Sequence, residues 1–130
     1  MLTLFEQIVM GHLIGDYLLQ PKEMAIRKSE KNWRGLLWCL AHCIIYTAVI
    51  CIATATTSPL IIVLIFLSHF PVDRWSLGYL WLKTIKGRDF EGSEQGLKGK
   101  IISLSFSAVV YTVVDNTIHL LLLILVFNLK

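Results

Sequence analysis

Four long apolar stretches dominate this sequence, and they leave little room for any fold other than a bundle of membrane helices. A helix that crosses a bilayer needs about 20 mostly apolar residues. Charged residues make up only 16% of the 130 residues and hydrophobic residues 55%, whereas a soluble domain carries roughly 25% charged residues. We therefore expect an all-α polytopic membrane protein, a single domain with about four transmembrane helices. The predicted spans are residues 2–20, 35–57, 59–82 and 101–127.

Basic residues concentrate in the two longer connections between these spans, residues 21–34 and 83–100. Ten of the twelve lysines and arginines lie there. With four spans, both connections fall on one side of the membrane, and the positive-inside rule makes that side cytoplasmic. We expect a protein of the bacterial inner membrane with both termini outside the cytoplasm. Because the basic clusters lie between apolar spans, they do not indicate nucleic-acid binding.

Pro71 lies inside the third predicted span and permits two interpretations. Proline in a membrane helix frees a carbonyl group and kinks the axis, which would shape a cavity beside the neighbouring polar residues. Alternatively, the helix ends at this point and residues 75–82 lie along the membrane interface, where Trp75, Tyr79 and Trp81 would form an aromatic belt.

Three of the four histidines have an aspartate four residues away. Residues at this spacing share one face of a helix. A carboxylate at the centre of the bilayer costs about 2.5–3.5 kcal/mol, and Arg74 is the only basic residue within the spans that could compensate it. A divalent cation is a better partner than neutral histidine, because it binds carboxylates and imidazoles together. The three pairs are His12 with Asp16, His69 with Asp73, and Asp115 with His119.

The predicted site is therefore a metal centre with one or two divalent ions. Imidazole and carboxylate together favour zinc, manganese or iron over calcium or magnesium, and zinc is the default for a non-redox role. Asp73 or Asp115 would bridge two ions or act as general base, and Arg74 would clamp a phosphate group. Gln20 and Asn116 would support the ligands from a second layer. The candidate ligands are His12, Asp16, His42, His69, Asp73, Asp115 and His119.

The depth of Asp115 in the fourth span conflicts with this arrangement. Counted from Lys100 at 1.5 Å per residue, Asp115 lies roughly 22 Å from the cytoplasmic end of its helix. Asp16 lies much closer to that face. The two depths agree only if the fourth helix begins later, near Ser107, or if the helices tilt.

Four ordered motifs resemble those of a family of small bacterial and phage membrane proteins, the domain of unknown function 3307. The resemblance spans nearly the whole chain, and it implies a metal-dependent membrane function without a substrate. A looser similarity exists to inner-membrane proteins described as predicted metal-dependent hydrolases. This chain has Arg74 where the family often has a lysine a few residues later, and Asn116 where it often has glutamine. The motifs are residues 11–20, His42 with Tyr46, residues 68–73 and residues 115–119.

These residues leave several functions open. The leading hypothesis is a membrane-embedded metal-dependent hydrolase that acts on a lipid-linked ester or phosphoester. The same side chains would serve a transporter or channel for divalent metal ions or protons, or a non-catalytic assembly protein with a structural metal. Haem held by two histidines is a minor option, because it would not require three aspartates. The expected partners are membrane lipids and a lipid-like substrate, and a chain this small is also compatible with a homodimer.

Overall fold

The computed structural model describes residues 1–88, 90 and 97–129, and every regular element among them is helical. The predicted all-helical fold is therefore confirmed for this part of the chain. Within the predicted connection 83–100, residues 89 and 91–96 lie outside the described residues. The elements are α1 (Leu4–Leu13), which continues as a π-helical segment (Ile14–Leu18), α2 (Lys22–Arg27), α3 (Trp33–Thr54), α4 (Pro59–Arg74), α5 (Leu77–Lys86) and α6 (Leu97–Asn128).

Two of these helices are long and apolar enough to cross a membrane alone. They are α3, with 22 residues, and 31 residues of α6. The pair α4 and α5 forms a third candidate span if the two helices are counted together. This pattern supports a helical membrane protein with two or three spans among the described residues. The first predicted span is not one of them, so the count of four stays a prediction.

The break between α4 and α5 lies beyond Pro71 rather than at it. The helix continues through the proline to Arg74, and the Trp75 amide still donates to the Pro71 carbonyl at 3.1 Å. Ser76 then adopts a left-handed conformation with φ of 49°, and α5 leaves at 55° to α4. Neither interpretation of Pro71 predicted this position, because the left-handed residue that turns the chain is a serine with no sequence signal.

Apolar side chains fill one end of the helix bundle. They come from the first half of α1, the second half of α3, the start of α4 and the last turns of α6. Successive long helices run in opposite directions, so these four segments meet at the end remote from α2. The buried cluster consists of Ile8, Tyr46, Ile50, Ile61, Ile65, Leu123, Val126 and Phe127. The polar side chains of the long helices are left to gather at the other end.

Two glycines allow α1 and the π-helical segment to approach α3 closely. A Cβ atom on Gly11 would lie 3.0 Å from Ile50 Cδ1, and one on Gly15 would lie 2.8 Å from Tyr46 Cδ2. Small residues four apart are the usual means of close helix packing in membranes. Here they hold the π-helical segment, which carries Asp16, against the middle of α3.

Helix α6 begins at Leu97, so the expectation of a later start near Ser107 is wrong. Its 32 residues extend about 48 Å, which exceeds the roughly 30 Å of a bilayer core. The first part of α6 packs along α5, because Arg88 lies 4.5 Å from the centre of the Phe106 ring and Gly78 lies against Asp115. Asp115 therefore reaches the level where α4 ends and α5 begins, although many residues of α6 precede it.

We expect Gly15→Ala to lower the free energy of unfolding by roughly 1–3 kcal/mol, the usual cost of overpacking. The added methyl group would lie too close to the Tyr46 ring, and the ring is fully buried. Thermal unfolding in detergent measures the effect. Ala41→Val adds methyl groups at an exposed position of α3 and serves as the control. Equal unfolding temperatures for the two variants would contradict the proposed close contact.

Candidate metal centre

Four buried histidines, one from each of the long helices α1, α3, α4 and α6, lie at the polar end of the bundle. Each is at most 2% exposed. Asp16 of the π-helical segment, Asp73 of the last turn of α4 and Asp115 of α6 lie among them. The structure thus brings all seven candidate ligands into one cluster. The histidines are His12, His42, His69 and His119.

Four donor atoms face one another in the middle of this cluster, and we call them the central set. His42 Nε2 lies 3.0 Å from His69 Nε2. Asp73 Oδ2 lies 3.0 Å from the first of these nitrogens and 3.1 Å from the second. Asp16 Oδ1 lies 3.1 Å and 3.6 Å from the same two nitrogens. Two imidazoles and two carboxylates from the π-helical segment, α3 and α4 therefore converge.

The five separations in the central set suit donor atoms that share one cation. Bonds of about 2.0–2.1 Å in a tetrahedral zinc site place neighbouring donor atoms about 3.3 Å apart. Hydrogen bonds leave part of the cluster unsatisfied, because Asp16 Oδ1 and His119 Nε2 are buried without a hydrogen-bond partner among the described residues. Such atoms cost free energy unless another group pairs with them. A divalent ion would satisfy Asp16 Oδ1 together with the other three donors.

A second group of donors, the outer set, shares Asp73 with the central set. His119 Nε2 lies 3.5 Å from Asp73 Oδ1 and 3.7 Å from Asp115 Oδ2, and ligand atoms of the three residues lie within 4.8 Å of one another. The two oxygens of Asp73 thus face different groups. This arrangement is typical of a carboxylate that bridges two metal ions. Helix α5 closes the outer set through Gly78, which lies against Asp115.

His12 differs from the other histidines, because hydrogen bonds occupy both of its ring nitrogens. His12 Nδ1 lies 2.9 Å from the Tyr46 hydroxyl, and Nε2 lies 2.7 Å from Asn116 Oδ1. The amide oxygen can only accept, so Nε2 donates and Nδ1 accepts from the tyrosine. Tyr46 in turn stacks on the His69 ring at 3.6 Å between centroids. His12 is therefore arranged to orient its neighbours rather than to offer a free lone pair.

Lys28 is a member of the cluster that sequence reasoning missed. Its Nζ lies 2.7 Å from Asp73 Oδ2, and the two side chains are 16% and 3% exposed. The residue follows α2, in a connection whose basic residues were expected to remain in water. One of five similar residues in that connection, it carries no signal that distinguishes it. Gln20 lies beside it, and in the favourable amide orientation its oxygen accepts from Lys28 Nζ at 3.0 Å.

Arg74, the predicted phosphate clamp, is directed away from this cluster. Its Nη1 donates to the Glu30 carbonyl at 2.6 Å. The side chain lines a separate cavity beside Trp75. Two neighbouring residues of α4, Asp73 and Arg74, therefore serve different surroundings.

The cluster opens to one side through a cavity of about 200 Å³. The cavity lies between the π-helical segment, α2 and α6. Its walls carry two carboxylates, an ammonium group, an amide and hydroxyl groups. At the opposite side of the cluster, the apolar end of the bundle leaves no polar side chain in its buried core apart from the Tyr46 hydroxyl. The lining residues are Asp16, Tyr17, Gln20, Ala25, Lys28, Tyr111, Thr112 and Asp115.

Comparison with known proteins gives one match. A family model described as a protein of unknown function (DUF3307) matches residues 4–130, a range that contains every residue of the cluster. No curated protein and no solved structure matches the chain.

We expect Lys28→Met to destabilise the metal-free protein by about 3 kcal/mol, because it leaves the buried Asp73 carboxylate without its ammonium partner. Added zinc should restore most of the loss if the ion takes over the compensation of charge. Unfolding temperatures with chelator and with zinc measure both effects. Lys22→Met, at an exposed position of α2, is the control. A variant as stable as the control in chelator would show that the ion pair contributes nothing.

Proposed function

Because the chain belongs to the DUF3307 family of proteins of unknown function, we propose a function from the chemistry of the cluster. The protein is a membrane-embedded, metal-dependent hydrolase that acts on a lipid-linked ester or phosphoester. The observation that carries this proposal is the central set, in which two imidazoles and two carboxylates converge at 3.0–3.6 Å beside a polar cavity.

The charges of the cluster support the binding of a divalent ion. The carboxylates of Asp16, Asp73 and Asp115 and the single ammonium of Lys28 leave two negative charges when the imidazoles are neutral. Uncompensated charge in a low-dielectric interior is costly, and one divalent cation neutralises it. Zinc suits the mixed ligands and the short separations best, with manganese or iron as substitutes. A second ion would occupy the outer set and share Asp73.

The chain's own residues divide the work of hydrolysis. An ion in the central set would supply Lewis acidity and lower the pKa of a coordinated water toward 7. Asp73, 3% exposed in its side chain, holds the two sets together. Asp115, with a side chain 20% exposed, lines the cavity and is the better placed general base. Lys28 also lines the cavity, so its ammonium group can stabilise negative charge that develops on the substrate.

The surroundings of the cavity support a substrate attached to a lipid. Exposed apolar or aromatic side chains flank it on both sides: Tyr17 and Ile26 are 55% and 57% exposed, and Val109 and Val113 of α6 are 60% and 59% exposed. In a bilayer these positions face acyl chains. A substrate that carried its own hydrocarbon chain could place a polar headgroup in the cavity without leaving the membrane, and Lys28 favours an anionic headgroup such as a phosphoester.

We infer four crossings of the bacterial inner membrane: α1 with the π-helical segment, α3, the pair α4 and α5, and α6. Basic residues between the first and second crossings and between the third and fourth crossings place both connections in the cytoplasm and both termini outside it. The cluster lies at the end of the bundle that α2 covers. The cavity would therefore open on the cytoplasmic side.

The apolar end of the bundle favours an enzyme over a transporter that uses the same residues. A path for ions requires polar groups or water on both sides of the binding site. Beyond Tyr46, the buried core consists of aliphatic side chains and Phe127. Proteoliposomes that contain the protein should therefore show no zinc or proton flux above that of empty vesicles. Measurable flux would favour the transporter.

We expect Asp73→Asn to remove bound metal and to abolish hydrolysis, because this residue joins both sets of donors. Metal content is measured by elemental analysis of detergent-purified protein after incubation with zinc. Hydrolysis is measured as release of phosphate from phosphatidic acid in mixed micelles. Glu23→Gln makes the same change at a carboxylate that is 61% exposed and should retain both properties.

Two outcomes would contradict different parts of this proposal. Wild-type protein without stoichiometric metal would refute the metal centre itself. Metal bound by the wild type and lost in the variant, with no turnover of phosphatidic acid or of a lipid carboxylic ester, would retain the centre and refute the hydrolase.

A further inference from the structure

A second polar cavity, of about 450 Å³, lies on the other side of α4 from the cluster. Its described lining carries two basic side chains and two hydroxyl groups but no carboxylate. Arg74 donates through Nη1 to the Glu30 carbonyl, which fixes the guanidinium while its remaining N–H groups stay available. The Glu30 carboxylate lies near Arg27, at 3.6 Å, and accepts from Asn32. The lining is Ser29, Lys31, Arg74, Trp75 and Ser76.

The start of α5 adds to the positive potential of this basic cavity. Ser76, which lines the cavity, immediately precedes the ten residues of α5, and its side chain does not cap the helix. The first amide groups of a helix have no partner within the helix and carry a partial positive charge. Two cationic side chains and a helix N-terminus at one cavity are the usual elements of a phosphate-binding site.

An apolar groove of about 500 Å³ lies between α3 and α4. Its walls are aliphatic and aromatic apart from Thr47 and Cys51, and they include Ile44 and Val63, which are 61% and 53% exposed. Exposed apolar surface of this kind is what an acyl chain contacts. The groove runs along the same face of α4 that leads to the basic cavity.

Aromatic side chains connect the groove to the basic cavity. Phe66 lines the groove and stacks with Phe70 at 6.1 Å between ring centroids, and Phe70 meets Trp75, which lines the cavity, at 6.5 Å. From Phe66 to Trp75 the chain rises about 14 Å, well within the reach of a lipid tail. Trp75 is also 66% exposed, as expected for a side chain at the membrane interface.

We propose that this face of the protein binds one anionic phospholipid, with the headgroup phosphate in the basic cavity and an acyl chain in the groove. Basic cavities between membrane helices on the cytoplasmic side bind anionic headgroups in this way. The site is independent of the proposed hydrolase, because its cavity shares no lining residue with the cavity beside the metal centre. Arg74 thus receives a phosphate, but one that belongs to a bound lipid rather than to a substrate at the cluster.

The test is native mass spectrometry of the full-length protein with phosphatidylglycerol or phosphatidylcholine of identical acyl chains. The wild type should bind phosphatidylglycerol in preference to phosphatidylcholine. Lys31→Gln and Arg74→Gln should each weaken binding of phosphatidylglycerol about fivefold, the effect of one basic residue at an anionic surface, and leave phosphatidylcholine unchanged. Lys83→Gln, at an exposed position outside the cavity, should bind like the wild type.

The exposed position of Lys31 keeps the test decisive even if Arg74→Gln fails to fold after losing its bond to Glu30. Equal affinity of Lys31→Gln and the wild type for phosphatidylglycerol would overturn the proposal. Equal affinity of the wild type for the two lipids would do the same. Excess inorganic phosphate should not displace the lipid, because the groove holds the chain; complete displacement would show a free-phosphate site instead.

Discussion

The compensation of one buried carboxylate, that of Asp73, organises the whole molecule. Its side chain is 3% exposed and lies within 3.5 Å of nitrogen atoms from α3, α4, α6 and the segment after α2. A charge removed from water must be paired or hydrogen-bonded, or it costs several kcal/mol. Because its partners come from four parts of the chain, the contacts that stabilise the charge also fix how the helices meet.

The separation of polar and apolar side chains along the bundle gives the protein its direction. In water, the apolar effect would gather hydrophobic side chains at the centre; in lipid, packing and polar contacts determine which helix faces meet. Here the aliphatic side chains close one end, and the histidines and aspartates collect at the other. The resulting site can exchange ligands with one face of the membrane and with the lipid beside it, which suits chemistry on an amphiphilic molecule.

Spacing along the sequence predicted the contents of the cluster better than its geometry. Residues four apart share a helix face, so the pairing of Asp16, Asp73 and Asp115 with histidines could be read directly, as could the need to bury them together. Lys28 could not, because its contact depends on where a short connection folds back. The hydrogen bond between His12 and Asn116 joins residues far apart in sequence, and the left-handed Ser76 has no distinguishing signal.

The π-helical segment has a further consequence for the first helix. Its wider turn accommodates one residue more than an α-helical turn would, and Asp16 lies within it, between the hydrogen-bonded Ile14 and Leu19. Removal of a single residue from this stretch would restore regular winding and rotate whatever follows by about 100°. Either His12 or Asp16 would then leave the cluster. The number of residues that separate these side chains from Pro21 is consequently as strictly constrained as their chemical identity.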